Sequence, residues 1–189
     1  ATWLESQGKA GKRAVLSDAD LGGKHLERAQ LALAVLANGK FAGTNLTQAA
    51  MAMIDLGAAD LRGAVLARAD LRGARLHRAH LNDADLSGAD LGPVRAVGSS
   101  KRDFKTAAER AKFLHAKLCG TNLREAQLLG ADFSDANLEG ADLRNADLQD
   151  AVFTGAMLAG ANLDGANLTG AVLAGVNLEG ASFEGAKGL

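Results

Sequence analysis

His77 and His80, three residues apart, are the first candidates for chemistry, because imidazoles at that spacing can share a metal ion. No Cys or further His joins them at a matching interval, so no metal site is assigned. The single cysteine, Cys119, has no base placed beside it by any motif and is not read as a nucleophile. Stretches such as Leu158-Ala159-Gly160-Ala161 resemble a phosphate-binding loop, but they recur every five residues and lack the Lys-Ser/Thr that would follow. No catalytic residue and no cofactor are therefore expected. What remains is charge: Arg62, Arg72, Arg75 and Arg78, with Arg68 among them, and a second basic group of Lys101, Arg102 and Lys105. These could meet phosphates or the acidic face of a protein. Aromatic residues do not interleave with the arginines, and Asp60 and Asp70 lie beside them, which favours a protein partner over nucleic acid.

The overall formal charge of −1 conceals an uneven distribution. Residues 1–91 hold eleven Lys/Arg against ten Asp/Glu, residues 92–120 hold seven against two, and residues 121–189 hold three against ten. A basic middle thus separates a neutral first part from an acidic last part. The acidic residues can be read as a docking surface or as turn formers, since Asp and Asn suit tight corners. With one cysteine there is no internal disulfide, and no apolar run approaches the roughly 18 residues of a membrane span. A cytoplasmic location is the expectation.

The elements that would position these groups follow from one periodicity. From Leu118 to Phe183 a large apolar residue returns at every fifth position, including Leu123, Leu128, Phe133, Leu138, Leu143, Leu148, Phe153 and Leu158. On an α-helix a step of five rotates the side chain by about 140°, so no apolar face forms. On a flat strand an odd step alternates faces. The chain must turn a corner once per unit, so that every short segment points the same kind of residue inward and stacked coils share a core.

The same interval runs from Leu16 to Leu91, where fourteen of sixteen centres are Leu and the others are Phe41 and Met51. The position two before the centre is Ala in twelve of these units, the exceptions being Lys24, Gly39, Thr44 and Ile54. Lys24 is expected to reach outward. Leu91 and Leu118 are 27 residues apart, which is not a multiple of five, so something is inserted. Thr106 to Glu109 has the form of a capping box, and Phe104, Ala107, Ala108, Ala111, Leu114 and Leu118 follow helical spacing. The expected organisation is an N-terminal cap at 1–13 with Trp3 as its lid, a first repeat block at 14–91, an insertion at 92–115 and a second block at 116–185. A tail follows at 186–189, and a short helix is expected over about 105–117.

Units such as Ala141-Asp142-Leu143-Arg144 and Ala166-Asn167-Leu168-Thr169-Gly170 closely resemble the motif of the pentapeptide repeat proteins: small residue, Asp or Asn, Leu or Phe, Ser/Thr/Arg, Gly. The resemblance implies an all-β fold, a right-handed quadrilateral parallel β-helix with four five-residue sides per coil. Thirty units would make about 7.5 coils at a spacing of about 4.8 Å. It also implies that Phe133 and Phe153, twenty apart, stack on one side.

Fold does not fix function. The expectation is a non-enzymatic protein-binding or scaffold module that docks a protein partner through the insertion and an outer face. The alternative carried by the resemblance is a rod mimicking DNA, which would bind a type II topoisomerase (gyrase) and protect it from quinolone-type drugs. Association of two copies through the coil of Phe183, or a further segment covering it, is also expected.

Overall fold

The computed structural model describes residues 14–96 and 103–189. The expected cap at 1–13, with Trp3, and the basic residues Lys101 and Arg102 lie outside the described residues.

Each five-residue unit makes one bridge residue and one two-residue turn. Val15 pairs with Val35, Val35 with Asp55 and Asp55 with Arg75, all parallel and twenty residues apart. Three further ladders begin at Asp20, His25 and Gln30, so a coil has four sides, which we number one to four from the Val15 ladder. A corner follows each side and takes its number.

The corner explains why the unit is five residues long. In the unit that follows that of Val15, the Lys24 N–H donates to the Leu21 carbonyl at 3.1 Å, closing a four-residue turn whose third residue, Gly23, has φ 63°. Positive φ at that position is the mark of a type II turn. It recurs at the equivalent residue of unit after unit, and among the described residues sixteen of these are not glycine. Each such residue costs on the order of 1 kcal/mol, so the stacking must outweigh the strain.

The centre of each unit and the residue two before it point inward. Leu123, Leu128, Phe133, Leu138, Leu143, Leu148, Phe153 and Leu158 are fully buried, as are the alanines two before most of them. Phe133 and Phe153 stack as expected, with ring centroids 5.0 Å apart and planes 8° from parallel, and Phe113 extends the stack at 4.7 Å. Most exceptions in the small position are also explained. Lys24 is exposed. Thr44 and Thr121 are buried, their hydroxyls donating to the carbonyls of Leu21 and Leu86 in the preceding coil. Gly39 leaves room for a ring, because a Cβ there would come within 2.5 Å of Phe41 Cε2.

The helix expected over 105–117 is not present. Ala107, Lys112 and Lys117 are bridge residues pairing with Arg75, His80 and Asp85, so these residues already belong to the coils, and the ladder resumes at Ala107. Arg75 and Ala107 are 32 apart where the other steps on that ladder are 20, so twelve residues are looped out at the fourth corner. The helical spacing of Ala107, Ala108, Ala111 and Leu114 was a coincidence of two overlapping repeats. Ala108, Ala111 and Phe113 are inward residues, and Lys112 and Lys117 stand where Asp or Asn usually marks the unit.

Two substitutions test this packing by urea denaturation. Phe133→Ala, which opens the middle of the ring stack, is expected to cost about 3–5 kcal/mol. Gly39→Ala is expected to cost about 1–3 kcal/mol by pushing the Phe41 ring off its place; an unchanged midpoint would contradict the close contact.

Candidate protein-docking surface

The acidic and basic side chains are best judged by what the backbone asks of them. Each unit has five N–H groups. In the unit 141–145, Ala141 N–H closes the turn onto Leu138, Asp142 N–H reaches Thr121 in the coil before, and the N–H groups of Leu143 and Asn145 reach Asn162 and Asp164 in the coil after. The fifth, on Arg144, is taken by the Asp142 side chain at 3.2 Å. The Asp or Asn one before the centre plays this part in all fifteen units that have one, from Asp20 through Asn177. These carboxylates and amides are local turn clasps.

Three units extend the clasp. In Asp60-Leu61-Arg62, Asp70-Leu71-Arg72 and Asp142-Leu143-Arg144 the same carboxylate also takes a two-pronged guanidinium, with contacts of 2.6–2.9 Å. Arg62 and Arg72 each hold their aspartate's carboxyl below the usual range. The arginines singled out in the sequence do not form one patch. Arg62 stands at the second corner, Arg72 at the fourth, Arg75 on the first side and Arg78 at the first corner. His77 lies over Gly57 of the preceding coil, at the first corner, while His80 is on the second side. Among the described residues no cluster of His, Cys, Asp and Glu has metal-holding geometry. Cys119 is half-buried and its thiol is pushed up, first by burial and then by Glu139, which disfavours the reactive thiolate.

The looped-out segment has its own architecture. Val94 and Phe104 form an antiparallel pair with two backbone hydrogen bonds of 2.8 and 2.9 Å. Arg95 joins Asp103 in the loop to Glu125 at the fourth corner of the next coil. Asp103 also accepts the Ala96 N–H at 3.0 Å. That backbone N–H and then Arg95 hold the Asp103 carboxyl below its usual range, and Arg95 does the same to Glu125. Thr106, at the loop's end, is buried. Lys105 lies 3.8 Å from Glu125 and is about half exposed. The clamp of Arg95, Asp103 and Glu125 was not anticipated from the sequence, because its members are far apart and carry no motif.

The family model for pentapeptide repeats matches residues 12–49, 54–92, 111–150 and 146–185, with eight copies. The chain belongs to the pentapeptide repeat family. Solved structures of other pentapeptide repeat proteins resemble it. HetL, involved in heterocyst differentiation regulation in the cyanobacterium Nostoc sp. strain PCC 7120, is 27% identical, with 100% of this chain and 96% of that one covered and a TM-score of 0.37. A trypsin-treated form of QnrB1, a plasmid-mediated fluoroquinolone resistance protein, is 16% identical over 93% of this chain and 91% of its own, with a TM-score of 0.45. Rfr23 from the cyanobacterium Cyanothece 51142 is 24% identical over 62% and 89%, with a TM-score of 0.29. Among curated proteins none matches the sequence significantly. Among the described residues no helix is long and apolar enough to cross a membrane.

As a pentapeptide repeat protein, the chain should need the clasp for stability more than for charge. Asp85, which accepts the Ser87 N–H at 2.9 Å, provides the test. Asp85→Ala is expected to lose about 1 kcal/mol, while Asp85→Asn, which keeps the acceptor, stays within about 0.5 kcal/mol; equal losses in urea melts would refute the clasp. The pH dependence has a defined sign. Carboxyls whose folded pKa is lowered, as for Asp60 and Asp70, add stability above their unfolded pKa of about 3.9 and lose it as pH falls through the folded value. Stability should therefore hold from neutral pH to about 5 and decline below about 4, and Arg72→Met should shallow that decline.

Proposed function

We propose that this chain is a non-enzymatic protein-binding scaffold: a right-handed quadrilateral β-helix that braces the two ends of a loop against one corner for a partner protein to grip, in the cytoplasm. The observation that carries the reading is the Arg95 clamp, which ties a looped-out segment to both itself and the next coil. A segment of this length needs no such bracing to be tolerated, since loop length alone costs little. Bracing suits a surface that must keep its shape for recognition.

The gripping residues in this reading are Arg75 and Lys105 beside the loop, with Lys101 and Arg102 as further members of the basic group. Arg62 and Arg72 are engaged by their own aspartates and contribute less. Arg78, at the first corner, belongs to a separate face. The DNA-mimic alternative draws less support. Carboxylates of the last part stand at all four corners, as Asp150, Asp135, Glu139 and Asp164 illustrate, and Asp132, Asp142 and Asp147 are turn clasps. The reading also includes a second copy, or a further segment of the protein, seated on the coil of Phe183, where Leu173 and Phe183 are only partly buried and Leu178 is 38% exposed.

Affinity capture from host extract tests the proposal. The intact protein should retain a defined partner, and Arg95→Ala, which releases the loop while leaving the coils, should lose most of it; equal recovery would overturn the role of the loop. A gyrase supercoiling assay with a quinolone should show no protection at high protein excess. In sedimentation velocity, Phe183→Glu should abolish any concentration-dependent dimer.

A further inference from the structure

Where the loop leaves the fourth corner, a hollow of about 580 Å³ opens between it and the first side. Its volume is in the range of sites that hold a ligand or a peptide side chain. The floor is apolar: Leu33 and Met53 from successive coils, flanked by Phe104, a residue 48% exposed. Arg75 and Lys105 stand on the lining as well.

Three features set this hollow apart from the rest of the corners. First, Leu33 and Met53 occupy the left-handed turn position, with φ 63° and 56°. Bulky residues are rare there, and glycine fills the same corner at Gly73 and Gly165, so nothing in the turn calls for large apolar side chains on the outside. Second, the wall is fixed. Gly73 permits the loop to approach, a Cβ there lying 3.1 Å from the Phe104 carbonyl and 3.2 Å from Val94 Cγ2, and the Arg95 clamp holds the loop in that position. Third, the lining carries two cations, Arg75 and Lys105, against one carboxylate, Asp103. Among the described residues the carboxylate contacts of Arg75 and Lys105 are long, 3.8 Å to Asp55 and 3.8 Å to Glu125, and those carboxylates also accept from the Gly57 N–H and from Arg95. Asp103, the carboxylate on the lining, is engaged by Arg95 and the Ala96 N–H.

We propose that this hollow is the docking site for an acidic peptide segment of a protein partner, one that seats an aliphatic or aromatic side chain on Leu33, Met53 and Phe104 and lays its carboxylates against Arg75 and Lys105. The inference rests on the protein-binding reading and gives that reading a location and a chemistry. An apolar anchor supplies the burial and the flanking charges set orientation and selectivity.

The methionines provide the readout. Met53 lines the hollow, Met51 is in the core, and Met157 is on the third side. In the methyl-carbon-labelled methionine NMR spectrum of the intact chain, the capped peptide Asp-Glu-Leu-Phe-Asp-Glu should shift Met53 saturably and leave Met157 in place. The uncharged Asn-Gln-Leu-Phe-Asn-Gln peptide, and the anchorless Asp-Glu-Ser-Ser-Asp-Glu peptide, should each bind at least about tenfold more weakly. Arg75→Glu with Lys105→Glu should weaken binding by a similar factor, whereas Lys117→Glu on the third side should not. A Met53 signal that stays fixed at millimolar peptide, or responds equally to the uncharged peptide or in the double variant, overturns the proposal. A host-extract partner retained equally by the double variant would remove the hollow while leaving the protein-binding reading intact; failure to retain any defined partner would remove that reading itself.

Discussion

The backbone N–H groups of each five-residue unit must find acceptors in the fold or in water, and this constraint governs the rest of the molecule. Four are met by backbone: one closes the corner, one reaches the coil before, and two reach the coil after. Those partners exist only if every coil uses twenty residues, because a shift of one residue would turn apolar centres outward and misalign the ladder. The fifth N–H lies at the corner and faces out, where an Asp or Asn side chain from the same unit can accept it. The core follows from the same geometry. Once the corners are set, the centre and the small residue two before it have nowhere to point but inward.

This explains why the surface is so permissive and why its charge is a poor guide. A residue at the bridge position is asked for an acceptor at most, so the chain places Asp60, His80 and Lys112 in succession on the second side without disturbing the ladder. Asp and Asn serve the clasp equally, and net negative charge accumulates in the last part partly as a by-product. The arginines that seemed to form a cluster are distributed because five residues advance the chain by one side. Neighbours in sequence therefore face different directions, and neighbours in space are twenty residues apart.

The fold was legible because the centres are nearly invariant: the five-residue interval located the sides, the inward residues and the Phe133–Phe153 stack. The insertion was misread because Lys112 and Lys117 replace the usual Asp or Asn and Ala108 replaces a large centre, which left a run of alanines that also satisfies helical spacing. Phe113, five before Leu118, was the signal that the repeat had already resumed. The candidate site was the least legible part. Arg95, Asp103 and Glu125 meet only because the loop returns to its corner, and Leu33 and Met53 share that corner only because a coil is twenty residues long.

Register is the claim on which all of this stands, and it has a direct measurement. A chain lacking residues 93–104 joins Gly92 to Lys105 and restores an unbroken run of fives into Thr106, Ala107 and Ala108. Urea denaturation of this twelve-residue deletion should give a single transition near that of the full chain. Deletions one residue shorter or longer, ending at Asp103 or Lys105, should be clearly less stable because strain or a bulge must absorb the mismatch. Equal stability of all three, or loss of folding in the twelve-residue deletion alone, would contradict a coil of twenty residues with the remainder looped out at the corner.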